Sequence, residues 1–139
     1  TGRLLPVNGT LLDFRLPHTI ASSLTEEHSQ IQKGKGFSLA YALDGESGGE
    51  LNFAACLSDE ISGRKMDIYT NQQSVQVYNG YFMDGTDIGK GGTPYYASAG
   101  IAIETQGYPD APNQPSFPSI LIDKVEKYRH ITEYCFLSD

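Results

Sequence analysis

Apolar and polar positions alternate along much of this chain, in short runs. Met66-Asp67-Ile68-Tyr69-Thr70 and Ser74-Val75-Gln76-Val77-Tyr78 repeat with a period of two, and Ile101-Ala102-Ile103 leads into Glu104. Near the end, Ile131, Glu133, Cys135 and Leu137 would share one face of a strand, with Thr132, Tyr134 and Phe136 on the other. Runs of this kind, rich in Ile, Val, Tyr and Phe and bounded by Gly, Pro, Asn and Asp, predict strands and turns. Gly45-Glu46-Ser47-Gly48-Gly49 predicts a turn, 85–93 a longer loop, and 110–118 an irregular stretch interrupted by Pro112, Pro115 and Pro118. One segment, 25–32, fits a short helix with Thr25 as its cap ahead of Glu26-Glu27-His28. With no internal repeat, the expectation is one all-β domain, an antiparallel β-sandwich or barrel segment.

Composition narrows the field. A chain of 139 residues is one domain by length, and 39% apolar residues suffice for a core. Ten Lys and Arg against 17 Asp and Glu leave a net charge of −7. Such an acidic surface has no general attraction for phosphate backbones or anionic lipid, so neither nucleic acid nor a membrane surface is an expected partner. No run approaches the roughly 18 apolar residues of a membrane span. Cys56 and Cys135 are too far apart in sequence for a CxxC site. Pairing stays open, with two buried thiols as the expectation. The chain opens at Thr1 without a methionine or a signal-like segment, which predicts a processed, excised or fragmentary start. Asn8-Gly9-Thr10 fits a glycosylation triplet, which matters only in a secreted protein.

Glu104 stands out as a chemical candidate. A carboxylate at the end of an apolar strand is expected to be desolvated, which raises its basicity and suits a general base. The competing reading is a strand-end carboxylate that pairs with a lysine or caps a turn. Gly89-Lys90-Gly91-Gly92 lacks the spacing of a phosphate-binding loop and reads as an ordinary loop. Tyr95-Tyr96 beside it is a candidate stacking surface for a sugar, although most of the aromatic residues read as core. Asp59-Glu60 and Glu26-Glu27 are adjacent pairs whose side chains would diverge on a strand, and both read as solvated.

The stretch from Glu104 to Pro118, ETQGYPDAPNQPSFP, resembles the ETQ-x-x-PDA-x-NQP-x-FP signature of the aldose 1-epimerases, the galactose mutarotase family. Thr1-Gly2, Gly9-Thr10 with Asp13-Phe14-Arg15, and Ser62-Gly63-Arg64 with Tyr69-Thr70 resemble further family segments in the same order. So do Gln76-Val77-Tyr78-Asn79-Gly80 and the stretch from Tyr128 to Phe136. The resemblance covers nearly the whole chain and corresponds to the family's C-terminal portion. It implies a galactose-mutarotase-like β-sandwich that interconverts the α and β anomers of free hexoses such as glucose and galactose. Glu104 would take the proton from the C1 hydroxyl, and Gln76 would hydrogen-bond the sugar. No metal or cofactor is implied, since the chemistry is proton transfer between positioned groups. The family is commonly cytoplasmic.

The resemblance also implies what lies elsewhere. In the family, the histidines that serve the ring oxygen and its neighbouring hydroxyl, and an arginine that grips the sugar, come from segments preceding the matched ones. His18, His28 and His130 are therefore weak candidates for the missing acid. Ser38 and Leu39 stand where the family usually has an Asp-His pair. Ser38 still offers one hydrogen bond, but not the two-oxygen acceptor that grips adjacent hydroxyls. Three expectations follow: an epimerase acting with Glu104 as base, a carbohydrate-binding protein without turnover, and an interaction module with a relic pocket. Unpaired strand edges and an uncovered apolar face would call for a homodimer or a complementing N-terminal chain.

Overall fold

The computed structural model describes residues 2–24, 28–45 and 50–138. In chain order these form α1 (Ile20–Ser23), α2 (Ser29–Gly34), β1 (Ser38–Ala42), β2 (Asn52–Asp59), β3 (Arg64–Thr70) and β4 (Ser74–Tyr78). They continue with β5 (Asp84–Ile88), β6 (Pro94–Tyr96), β7 (Ala102–Gln106), a 3-10 turn over Ala111–Asn113, and β8 (Thr132–Ser138). The strands form sheets in the orders β1-β4-β7, β2-β3-β8 and β5-β6. The all-β antiparallel class expected from the two-residue period is the one observed. Among the described residues, no helix is long and apolar enough to cross a membrane.

The chain divides into two compact units, described separately. Unit 1 comprises Arg3–Leu39 and Gln76–Ile103. Its buried apolar residues include Leu12, Ile31 and Phe37. Phe14 stacks on the His18 ring at 4.3 Å between centroids and meets Phe37 edge-on at 5.6 Å. The helix expected over 25–32 is observed as α2, starting later. His28 caps it, accepting a hydrogen bond from the Gln30 amide through Nδ1 at 3.2 Å. The expected cap Thr25, together with Glu26-Glu27, lies outside the described residues, as does most of the turn expected at 45–49. Left-handed Lys35 ends the helix, and the Gly36 amide returns to the Ile31 carbonyl.

The loop expected over 85–93 is in part a hairpin. β5 and β6 pair across it, and the Gly89 amide donates to the Thr93 carbonyl at 2.8 Å. Gly91 and Gly92 take positive φ values of 81° and 78°, which a tight reversal needs and a side chain resists. Short polar strands such as Asp84–Ile88 carry no clear apolar alternation, so their pairing was hidden from the pattern.

Unit 2 comprises Ala40–Val75 and Glu104–Asp139, with Gly2. Its organising sheet is β2-β3-β8, antiparallel throughout, with a bulge between Phe53 and Ala55. Ile68 and Thr70 on one face of β3 are fully buried. Burying an isoleucine side chain contributes about 1.5–3 kcal/mol. The opposite face carries a row of three residues in register, Cys56 opposite Asp67 and Asp67 opposite Cys135.

That row decides the cysteine question. Two strand spacings separate the cysteines by about 9–10 Å, beyond the roughly 7 Å that a disulfide spans between Cα atoms. Both are free, but not buried as expected: Cys56 is exposed and Cys135 partly so, because they face away from Ile68. Desolvation by neighbouring strand atoms and the Asp67 carboxylate push the Cys56 thiol up, and a hydrogen bond to Glu133 does the same for Cys135. Ellman titration of protein unfolded without reductant should return two thiols per chain. A value near zero would mean that the register across β3 is wrong.

Candidate functional site

Ser38 opens β1 on its exposed face, and Gln76 lies at the centre of β4. Both belong to unit 1. The Gln76 Nε2 donates to the Ser38 Oγ at 3.4 Å, so the structure brings these two sequence-predicted residues together. The pair offers a neutral amide and a hydroxyl, chemistry suited to hydroxyl groups. It offers no charged acceptor.

Glu104 belongs to unit 2 and sits in the middle of β7. Its side chain is exposed, not desolvated as the apolar approach suggested. Alternation along β7 half-buries Ile103 and Thr105 and turns Glu104 onto the open face. The three apolar residues before it run partly outside the strand, so they do not enclose it.

The backbone around Glu104 is held from both sides. The buried Ser74 hydroxyl lies 3.0 Å from both the Gln106 and Gly107 carbonyls, and it donates there. Thr105 Oγ1 lies 2.8 Å from His130 Nε2 and 2.6 Å from Thr132 Oγ1. Asn71, buried at the end of β3, donates from Nδ2 to the Arg129 carbonyl and accepts from the Ile131 amide, both at 2.9 Å. Thr70 Oγ1 donates to the Ile131 carbonyl at 2.9 Å. Sequence reasoning missed this network. The only trace of it was polar Thr and His in the Glu104 stretch and in the closing segment.

The long motif after Glu104 is largely architectural. Asp110 takes a positive φ of 62°, and its carboxylate accepts from Asn113 Nδ2 and from Gln114 Nε2. The Asn113 bond first, then the Gln114 bond, holds the Asp110 carboxyl below its ordinary range. Gln114 also packs against Gly2, where a β-carbon would collide with it. Tyr108 and Phe117 meet edge-on at 4.9 Å and close the same loop.

The histidines have local work. His18 Nε2 lies 2.9 Å from the buried Ser23 hydroxyl, and Nδ1 lies 3.1 Å from the Leu16 carbonyl. His28 caps α2, and His130 sits in the Thr105 network. Burial pushes the Tyr41 phenol up to about 12, so it stays protonated at neutral pH. A shallow cavity of about 400 Å³ in unit 1 is lined by Asn8, Gly9, Thr10, Asp13, Arg15 and Leu16. It contains neither Ser38 nor Gln76. Its Arg15 guanidinium is bound to Asn8 and Asp13, and it holds the Asp13 carboxyl down to about 2.

The sequence model of the aldose 1-epimerase family matches residues 1–135. This chain belongs to the aldose 1-epimerase family. It is 40% identical to the galactose mutarotase of Homo sapiens over 136 residues, covering 98% of this chain and 38% of that protein. The Bos taurus galactose mutarotase matches with the same identity and coverage. The aldose 1-epimerase of Escherichia coli strain K12 is 33% identical over 138 residues, which is 98% of this chain and 39% of that protein. The chain thus spans under two fifths of the length of these relatives.

The Asp110 clasp yields a pH signature. A carboxyl lowered by folding adds stability above its unfolded pKa, near pH 4, and that stability is lost as pH falls through the lower folded value. Asp110→Asn keeps the tolerance for positive φ but loses one acceptor. Thermal melts should show the variant less stable than wild type at pH 7, with the gap closing below about pH 4. A gap that persists unchanged at low pH would contradict the charged clasp.

Proposed function

We propose that this chain carries the proton-accepting part of an aldose 1-epimerase, with Glu104 as the general base on a free hexose. Family membership over nearly the whole chain, with Glu104 in the family's signature stretch, supports this reading. Glu104 would remove the C1 hydroxyl proton while an acid protonates the ring oxygen. The C1–O5 bond opens to the aldehyde, rotation about C1–C2 presents the other carbonyl face, and reclosure returns both protons. Exposure of Glu104 is compatible with this role if bound sugar and a covering surface exclude water from it. Unit 2 leaves Leu121, Val125 and Phe136 exposed, apolar surface that a second copy or a complementing chain would cover. The acid is assigned to that partner, because the resemblance places the family's ring-oxygen histidine in segments preceding the matched ones. Two unbridged thiols suit a reducing compartment such as the cytoplasm.

Polarimetry of freshly dissolved α-galactose tests the base. The protein should speed equilibration, and Glu104→Gln should remove about 10²–10⁴-fold of that rate. An unchanged rate in the variant would discard Glu104 as the base.

A second reading, sugar binding without turnover, is favoured by Ser38, which leaves Gln76 without a charged neighbour to share two hydroxyls. Restoring a carboxylate with Ser38→Asp should tighten galactose binding roughly tenfold or more, the scale of one charge-assisted hydrogen bond. Titration calorimetry reads this directly. Equal affinities would remove residue 38 from the sugar site, and saturable binding with no acceleration of mutarotation would favour the binding protein over the enzyme.

A further inference from the structure

We propose that His130 is a positioning residue for β7, clamping the strand through Thr105 so that Glu104 is held in register. The functional part of this inference rests on the reading of Glu104 as a base. The clamp itself rests on geometry within unit 2.

Three polar atoms form a closed triangle: His130 Nε2, Thr105 Oγ1 and Thr132 Oγ1, with sides of 2.8, 2.6 and 3.2 Å. Two hydroxyl protons make two of its three sides hydrogen bonds, with Nε2 as an acceptor. Thr105 donates to Nε2 and Thr132 donates to Thr105. The vertices come from three places in the chain: the residue after Glu104 in β7, the first residue of β8, and the residue two before Thr132. The triangle therefore ties β7 to the start of β8 by side chains alone.

The anchor end does not drift. Both neighbours of His130 are fixed through the backbone, Arg129 by Asn71 and Ile131 by Asn71 and Thr70. The His130 ring also meets Tyr128 edge-on at 6.3 Å. On the working end, Thr105 follows Glu104 directly, and successive side chains on a strand point to opposite faces. His130 therefore does not touch Glu104 and acts on it through the β7 backbone. Ser74 holds the next two carbonyls, those of Gln106 and Gly107. With the triangle released, one side of that grip is gone. A proton-transfer group displaced by about 1 Å loses on the order of a hundredfold in rate, so a small release matters to an exposed base.

Four single variants and one double test this. Thr105→Val keeps the shape and removes the hydroxyl, and His130→Leu removes the acceptor. Thr105→Ser and His130→Gln keep a hydrogen-bonding group at each vertex. Amide hydrogen exchange over residues 103–106 is the first measurement. Thr105→Val and His130→Leu should each speed exchange roughly tenfold through local opening. Thr105→Ser and His130→Gln should retain most of the protection. The double variant Thr105→Val with His130→Leu should exchange no faster than either single one, as coupled partners do. Unchanged exchange in Thr105→Val, or additive effects in the double variant, would overturn the clamp. Should His130→Leu lose the β2–β3 amide protection and fail to fold, Thr105→Val and Thr105→Ser still decide the matter.

Polarimetry is the second measurement. Thr105→Val should lower kcat roughly tenfold or more, KM should move by less than about twofold, and Thr105→Ser should restore most of the rate. A loss carried by KM alone would overturn the positioning role. A wild-type protein that does not accelerate mutarotation would instead overturn the epimerase reading, and the exchange data would still decide whether the clamp exists.

Discussion

The Asn71 carboxamide is the constraint on which unit 2 depends. Between β7 and β8 the chain runs through some two dozen residues with only one 3-10 turn. A run of that length returns to the sheet only if something specifies where it re-enters, because its closure cost is set by entropy and not by direction. Asn71 supplies the address. Buried at the end of β3, it spends its donor on the Arg129 carbonyl and its acceptor on the Ile131 amide. Thr70, also buried, adds the Ile131 carbonyl. An amide so placed has to be satisfied, since a buried polar group without a partner is costly. The β3–β8 register then follows residue by residue from Thr70 opposite Thr132.

The placement of β8 has consequences on both faces of its sheet. One consequence is chemical isolation of the cysteines, which Asp67 separates in register. The other is the delivery of His130 and Thr132 to Thr105, beside the residue assigned as base. The long signature stretch thus divides into two kinds of residue. Glu104 is the one proposed for proton transfer. Asp110, Asn113 and Gln114 bind one another and shape the loop that follows. Residues that travel together in a motif need not share a function, because the loop must fold before the carboxylate has a fixed place.

Ser38 bears on function in a different way. Its hydroxyl meets Gln76 on the exposed face of β1, so the position still belongs to a polar pair. The pair lacks a carboxylate, which is the acceptor best matched to two neighbouring hydroxyls. Membership in the family and competence as an enzyme are therefore separate questions for this chain, and the Ser38→Asp variant proposed above bears on the second.

Much of the fold was legible in the residues. The strands at 66–70, 74–78 and 101–104 appear as β3, β4 and β7, and the alternation over 131–137 appears in the paired register of β8. Period-two patterning is a local property, and a strand with one buried face writes it directly into the sequence. The short polar strand β5 left no such mark, and α2 is capped by His28 where local pattern suggested Thr25. Glu104 was legible as a candidate, but its exposure was not. Burial depends on what covers a face, and no window of neighbouring residues contains that information. The Asn71 address, the Thr105–His130–Thr132 triangle and the separation of the two thiols were likewise decided only in three dimensions. Each joins residues from strands that are distant in sequence, and hydrogen-bond partners of that kind exist only once the register does.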